Sequence, residues 1–407
     1  MTSSMISAVP PELSERTLSL CHPRDVASFA QTCRGAYALV YQSSDQYLWR
    51  TLFLDYPFDD PRLSTSSSSI SKVDWRAKLQ RRVRAEHIAR SDGDRCEFVE
   101  VLLECVHEAA PRAARESSHN ISWITTILTL EESPWIERFL RLGPFDSPSI
   151  KYFASDAEEL RAHLALSLDH GVGTEAPEKL RVLRRMSRAY VYDLRNYTRA
   201  GNWGPFIGAG DSINWRHVNA IVTVITMNLR DFGIHWPKEF KPQAIVRGLE
   251  ACRAYSASGS FKRSSLDWAG VEGEWMRITC GWNPGFFDDG YQEASRLLLL
   301  NLRVISVEND PEVLEKLPDP SRPPITFGGT MRGFNSDSDE ILNRVVRGTV
   351  RLMKDGNIRW SFFRGVQIGG VCSSAGVVGA WSGAHHGQGP FWLFKAEENT
   401  PKEGRRR

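Results

Sequence analysis

One change of texture divides this chain. Up to about Ala254 the apolar residues recur at helical spacing, whereas from Gly270 onward short alternating runs rich in Gly take over, and the polar connector SASGSFKRSS lies between. A single layer cannot satisfy both periods, so the expected fold class is multidomain α+β, with helices first and an antiparallel sheet after them. The polar run STSSSSIS makes a second break. Together they predict a helical module over 9–53, a flexible linker over 64–71, an α-helical middle domain over 75–254, a β-barrel-like domain over 270–396 and a disordered basic tail over 397–407. At 407 residues the chain has enough material for several cores.

Within the middle stretch the clearest helix carries Trp215, Val218, Val222, Ile225, Leu229 and Phe232 on one face, with Asn214 placed as its N-cap. Its β-branched run IVTVIT also allows a strand. Further helices are predicted over 97–108, 121–142 with an interruption at Pro134, 157–169 and 177–197. In the last third, strands are predicted over 274–281, 296–307, 325–332, 377–382 and 390–396, with a hairpin in VRLMKDGNIRWSF turning at Asp355-Gly356. Seven or eight short strands suggest a small closed barrel, which leaves no open edge. That barrel is expected to fold by itself. The Pro-rich NDPEVLEKLPDPSRPP reads as a long loop.

The module over 9–53 is expected to form three short amphipathic helices, the first opened by Pro10 and Pro11 and the second by Pro23. So small a core leaves apolar surface for a partner or a neighbouring domain to cover. Its sequence, VPPELSERTLSLCHPRDVASFAQTCRGAYALVYQSSDQYLWRTLF, resembles the F-box. It shares a Pro-x-Glu-Leu start, a central Pro-x-Asp-hydrophobic turn, a Cys-Arg pair and a terminal Leu-Trp, and it departs at Val9, Thr17 and Cys21, where other aliphatics are usual. The resemblance implies binding to the adaptor Skp1 and, through it, to a cullin-based ubiquitin ligase. Val9, Pro10, Leu13, Leu18, Val26 and Trp49 are the matching positions expected to form or support that contact.

In the β domain, Gly273-Glu274-Trp275 opens the first strand and looks like the start of a lipocalin or avidin barrel, in which a basic residue of the last strand packs over the Trp. Lys395 is the candidate here. Trp275, Trp282, Trp360, Trp381 and Trp392 read as interior and end-plugging residues, or in part as the lining of a mouth. For a mouth, Arg332, Arg359 and Trp360 are the expected substrate-binding residues, the arginines suiting a carboxylate. Only one of Arg359 and Trp360 can face the interior.

Formal charge of +2 offers no general attraction to nucleic acid or membrane, so neither is expected as a partner. WRAKLQRRVRAEHIAR is a basic helix with a narrow stripe of Trp75, Leu79 and Val83. A solvated face accounts for it, with an RNA site as the alternative. Seven scattered cysteines without CxxC pairs suit reduced thiols. No leader or spanning segment is recognised, which places the protein in the cytoplasm, the nucleus or both. No nucleophile elbow, zinc-protease motif, phosphate loop or dinucleotide fingerprint occurs in context. His107-Glu108, His385-His386, Asp288-Asp289 and Cys372 each lack the partners that metal binding or catalysis needs. The expectation is therefore a non-enzymatic adaptor with no cofactor, no metal and no catalytic residue. Skp1 would bind at one end, and an unknown protein substrate at the other. The alternative is a ligand-binding or enzymatic lipocalin-like barrel with no ligase role.

Overall fold

The computed structural model describes residues 9–43, 45–56, 58–63, 73–91, 95–109, 118–128, 157–162, 177–201, 203–208, 212–231, 266–282, 293–333, 344–354, 356–363, 366–373, 376–383 and 388–395. The linker over 64–71, the tail over 397–407, Asp288-Asp289 and His385-His386 lie outside them, as do the later parts of the helices expected over 121–142, 157–169 and 214–232. The chain divides into two compact units. The first is 1–110 with 117–136, and the second is 111–116 with 137–407. This boundary falls inside the stretch expected to be one middle domain.

In the first unit, the N-terminal module forms four helices where three were expected: α1 (Pro11–Ser19), α2 (Pro23–Ala30), α3 (Arg34–Tyr41) and α4 (Tyr47–Asp55). The extra break has a local cause. The Cys33 sulfur accepts from the Ala36 N–H at 3.4 Å, so Cys33 acts as an N-cap and starts α3 as a separate helix. Pro23 is the first residue of α2, and the His22 ring caps it. Three more helices follow, α5 (Trp75–Arg90), α6 (Arg95–His107) and α7 (His119–Leu128). Gln46, just before α4, reaches across to accept the Trp75 N–H at 2.7 Å, and Asp74 accepts that of Ala77, so α5 takes a cap from each side. Phe53, Phe58, Leu79, Phe98 and Leu102 close the core between these helices, each 1% exposed or less.

In the second unit, α8 (Pro177–Val191) packs on α9 (Trp215–Asp231), with a two-stranded hairpin, β1 (Phe206–Ile207) and β2 (Ser212–Ile213), between them in sequence. Asn214 caps α9 by accepting the His217 N–H at 3.1 Å, so helix prevails over strand in the β-branched run. Burial extends beyond the expected stripe to Ala220, Ile221, Val224 and Met227. A helix buried beyond a single stripe is a covered helix, and α9 lies against both α8 and the barrel.

The barrel is closed and antiparallel. Its strands are β3 (Gly273–Trp282), β4 (Glu293–Val307), β5 (Ile325–Gly333), β6 (Arg344–Leu352), β7 (Ile358–Phe363), β8 (Val366–Ser373), β9 (Gly376–Gly383) and β10 (Gln388–Lys395), and β10 returns to pair with β3. Of these, β8 was not among the expected strands. The β6–β7 hairpin has the expected register, with Val350 opposite Trp360 and Leu352 opposite Ile358, and Gly356 supplies a φ of 79° at its turn. On β4 a bulge sets Ile305 aside, and the Val304 N–H is taken up by the Glu272 carboxylate at 3.2 Å. The connector after β4 carries a short helix, α10 (Pro311–Leu314), capped by Asp310.

Faces differ around the barrel. On β4 and β6 the outward residues Asn301, Arg303, Arg347 and Arg351 are exposed, giving the alternation of a half-buried strand. On β3, β9 and β10 the outward residues Met276, Ile278, Cys280, Val378, Ala380 and Trp392 are at most 2% exposed, because α9 lies over those strands.

Candidate functional site

Two places concentrate residues that packing alone does not explain. The first is α1. Val9 is 46% exposed, Leu13 57% and Leu20 84%, and Pro10 is exposed too. The remaining motif positions are inside: Leu18, Val26 and Trp49 are buried, and the Trp49 indole N–H donates to the Val40 carbonyl at 2.9 Å while its ring stacks on Tyr41. The six positions therefore separate into an outer set of Val9, Pro10 and Leu13 and a supporting set of Leu18, Val26 and Trp49. Leu20 was not singled out from sequence, although Leu18-Ser19-Leu20 alternates at the end of α1 in a way that exposes one of the two leucines. Beside α2, α4 and α5 lies an open groove of about 580 Å³, lined by Pro23, Ala27, Trp49, Leu79 and Val83.

The basic helix α5 does not present a free cationic face among the described residues. Lys78 bonds to Glu104 and lies 2.5 Å from Glu108, Arg81 lies 2.6 Å from Glu104, and Arg84 lies 2.8 Å from Glu97, all on or just beyond α6. Burial opposes the charge on Glu104, but Lys78 and the neighbouring arginines outweigh it and hold the carboxyl below its ordinary pKa. Arg82, 2% exposed, lies 4.5 and 4.3 Å from the Phe53 and Phe58 rings, with Glu108 at 2.9 Å and Asn120 at 3.1 Å. Charge and stacking here hold α5 in place.

The second place is the barrel, where Arg332, Arg359 and Trp360 do not meet. Trp360 points inward, 1% exposed, its ring 5.3 Å from Trp275 on the opposite wall and 5.2 Å from Phe327. Arg359 points outward from the same strand, yet it is only 6% exposed because Phe206 of β1 covers it, the guanidinium 4.5 Å from that ring. Arg332 is exposed on β5, opposite Leu299. The β5–β6 ladder runs from Ile325 opposite Val350 to Met331 opposite Arg344, so Arg332 lies near the other end from Trp360. Alternation and the closed wall thus send three neighbours in expectation to three different surfaces. No mouth is built from them.

The tryptophans divide likewise. Trp275 and Trp360 form one ring cluster inside the lumen with Phe327 and Phe362, whereas Trp392 is outside under α9. The Trp381 indole donates to the Cys280 carbonyl at 3.1 Å, and its ring lies where a Cβ on Gly281 would come within 3.0 Å. The side chains of Trp282 and Lys395 are outside the described set, though the Lys395 backbone does stand opposite Trp275. Sequence reasoning missed Arg277, two positions beyond Trp275 on the inward face of β3 and 5% exposed. Its signal was present in the alternation Trp275, Arg277, Thr279.

Among the described residues no group of three or more His, Cys, Asp and Glu is arranged to hold a metal ion, and no helix is long and apolar enough to cross a membrane. No protein family, curated protein or solved structure matched the chain in comparison.

Proposed function

We propose that this chain is the substrate-recruiting subunit of a Skp1–cullin–F-box ubiquitin ligase. The N-terminal helices dock on Skp1 and the barrel-containing unit takes the target protein. Ubiquitin transfer belongs to other subunits, and no catalytic step is assigned to this chain. One observation carries the reading: the motif's first residues, Val9 and Pro10 just before α1 and Leu13 on it, are exposed, while Leu18, Val26 and Trp49 close the core that supports them. Exposed apolar groups at the start of a small helical unit are what a partner would cover. Replacing Pro10 by Asp and Leu13 by Lys together puts charge on that contact without entering the core. The full chain should retain purified Skp1 on an affinity column, and the double variant should lose it with little change in thermal unfolding. Equal recovery from both proteins, or none from the parent, would remove the adaptor reading. A second reading, a barrel that binds a small ligand, draws on the unpartnered donors inside the lumen.

A further inference from the structure

Arg277 contrasts with Arg82, the buried arginine of the first unit. Arg82 has a carboxylate, an amide and two aromatic faces around it. Among the described residues Arg277 has a single hydrogen-bond partner, the weak acceptor Met331 Sδ at 3.9 Å, and the Phe391 ring at 5.2 Å. Its Nε is buried without a partner, and so is the indole Nε1 of Trp360, which faces the same lumen. Two N–H donors thus lie inside a closed barrel with no oxygen among the described residues to receive them. Burying a guanidinium with no counter-charge is among the least favourable arrangements a fold can hold. Nothing in the packing requires a cation at this position, since the inward neighbours Leu300, Leu393 and Phe391 are apolar and fully buried.

We propose that the barrel interior at Arg277 is a binding site for a small monocarboxylate with an apolar body, whose carboxylate pairs with the guanidinium. A planar carboxylate matches the fork of an arginine, and one cation calls for one negative charge. A dianion such as phosphate would leave charge uncompensated among Met331, Phe391 and Leu393. The interior of an eight-stranded barrel admits at most one small ligand, which excludes a folded chain or a nucleic acid from this place. Burial draws the Arg277 pKa down to about 10, so the group stays cationic at neutral pH. This site belongs to the barrel alone and stands or falls separately from Skp1 docking.

The test uses the full chain, titrated calorimetrically with octanoate, octanol and inorganic phosphate, beside Arg277→Met and Arg277→Lys. Octanoate should bind and raise the unfolding temperature, and octanol should bind at least tenfold more weakly. Arg277→Met should lose at least tenfold in octanoate affinity, and Arg277→Lys should keep part of it. Without ligand, Arg277→Met should unfold at the same or a higher temperature, because an unpaired buried charge has been replaced by an apolar chain of similar length. Absence of octanoate binding, equal binding of octanol, binding of phosphate in its place, or an unchanged affinity in Arg277→Met would each overturn the proposal. Should Arg277→Met be insoluble, octanoate against octanol on the parent chain decides.

Discussion

His217 sits in the first turn of α9 between two phenol rings, 5.3 Å from Tyr190 and 5.5 Å from Tyr197 by centroid. Its Nε2 is 3.4 Å from the Tyr197 hydroxyl, and burial draws its pKa from 6.5 down to about 4. The folded protein therefore keeps this ring neutral over a range in which the unfolded chain takes up a proton. Stability is complete above the unfolded pKa of 6.5 and is lost as pH falls toward 4. Between pH 7.5 and 4.5 the parent chain should lose about 2 to 3 kcal/mol more unfolding free energy than His217→Gln. Equal losses in denaturant titrations would show that His217 does not set this dependence. Trp360 and Arg332 should separate just as clearly. Trp360→Ala removes an indole that touches Trp275, Phe327 and Phe362 and should cost about 3 to 5 kcal/mol. Arg332→Ala on the exposed side of β5 should stay within about 0.5 kcal/mol.

At the scale of elements, the barrel wall depends on one glycine opposite a large ring. A Cβ on Gly348 of β6 would stand 2.3 Å from the Phe327 Cζ and 2.4 Å from the Ser361 carbonyl oxygen. Even Gly348→Ala would have to displace both an aromatic plug and the backbone of β7. The expected destabilisation is about 2 kcal/mol or more by chemical denaturation, and Gly348→Val should be worse. A change below about 0.5 kcal/mol would mean that Phe327 does not occupy that space. Elements of this kind were partly legible in the sequence. The β6–β7 hairpin could be read because Gly356 and strict alternation agree, and α9 because Asn214 and the three-four spacing agree. By contrast, β8 reads VQIGGVCS, whose paired glycines look like a turn, and the barrel tolerates them because neighbours on both sides hold the ladder. The division of α3 from α2 was missed since a cysteine is a rare cap. Arg359 was misplaced because nothing near it in sequence announces Phe206, about 150 residues earlier, as its cover.

On the scale of the whole molecule, the boundary of the folding unit matters more than the boundary of the barrel. A fragment over 270–396 contains every barrel strand, β3 to β10, but leaves out α9, and so would uncover Met276, Ile278, Cys280, Val378, Ala380 and Trp392. That is a contiguous apolar band on three adjoining strands, a surface that soluble proteins rarely leave open. The prediction at this scale is that the isolated fragment binds a hydrophobic dye and associates, whereas a fragment over 157–407 is monomeric and binds little dye. Size-exclusion chromatography beside dye fluorescence checks this. Monomeric, dye-free behaviour of the shorter fragment would show that α9 is dispensable. The N-terminal F-box resemblance could be read from local spacing, but the association of α5 to α7 with those helices could not. It depends on pairings such as Asn120 with Asp59 and Glu86 with Tyr56 that join distant parts of the chain.

Closure of the barrel by β10 against β3 also imposes an order on biosynthesis. About 120 residues separate the start of β3 from the end of β10, and at typical elongation rates the ribosome needs on the order of ten seconds to add them. Throughout that interval β3 has no partner on one side, and α9, made earlier still, has no wall to lie on. The nascent chain must therefore carry an open sheet edge and an apolar helix together until its last strand emerges. A stop codon between Gly383 and Gln388 would make that temporary condition permanent, giving a sheet with unpaired edges on β3 and β9 and a product suited to aggregation or to rapid removal by quality control.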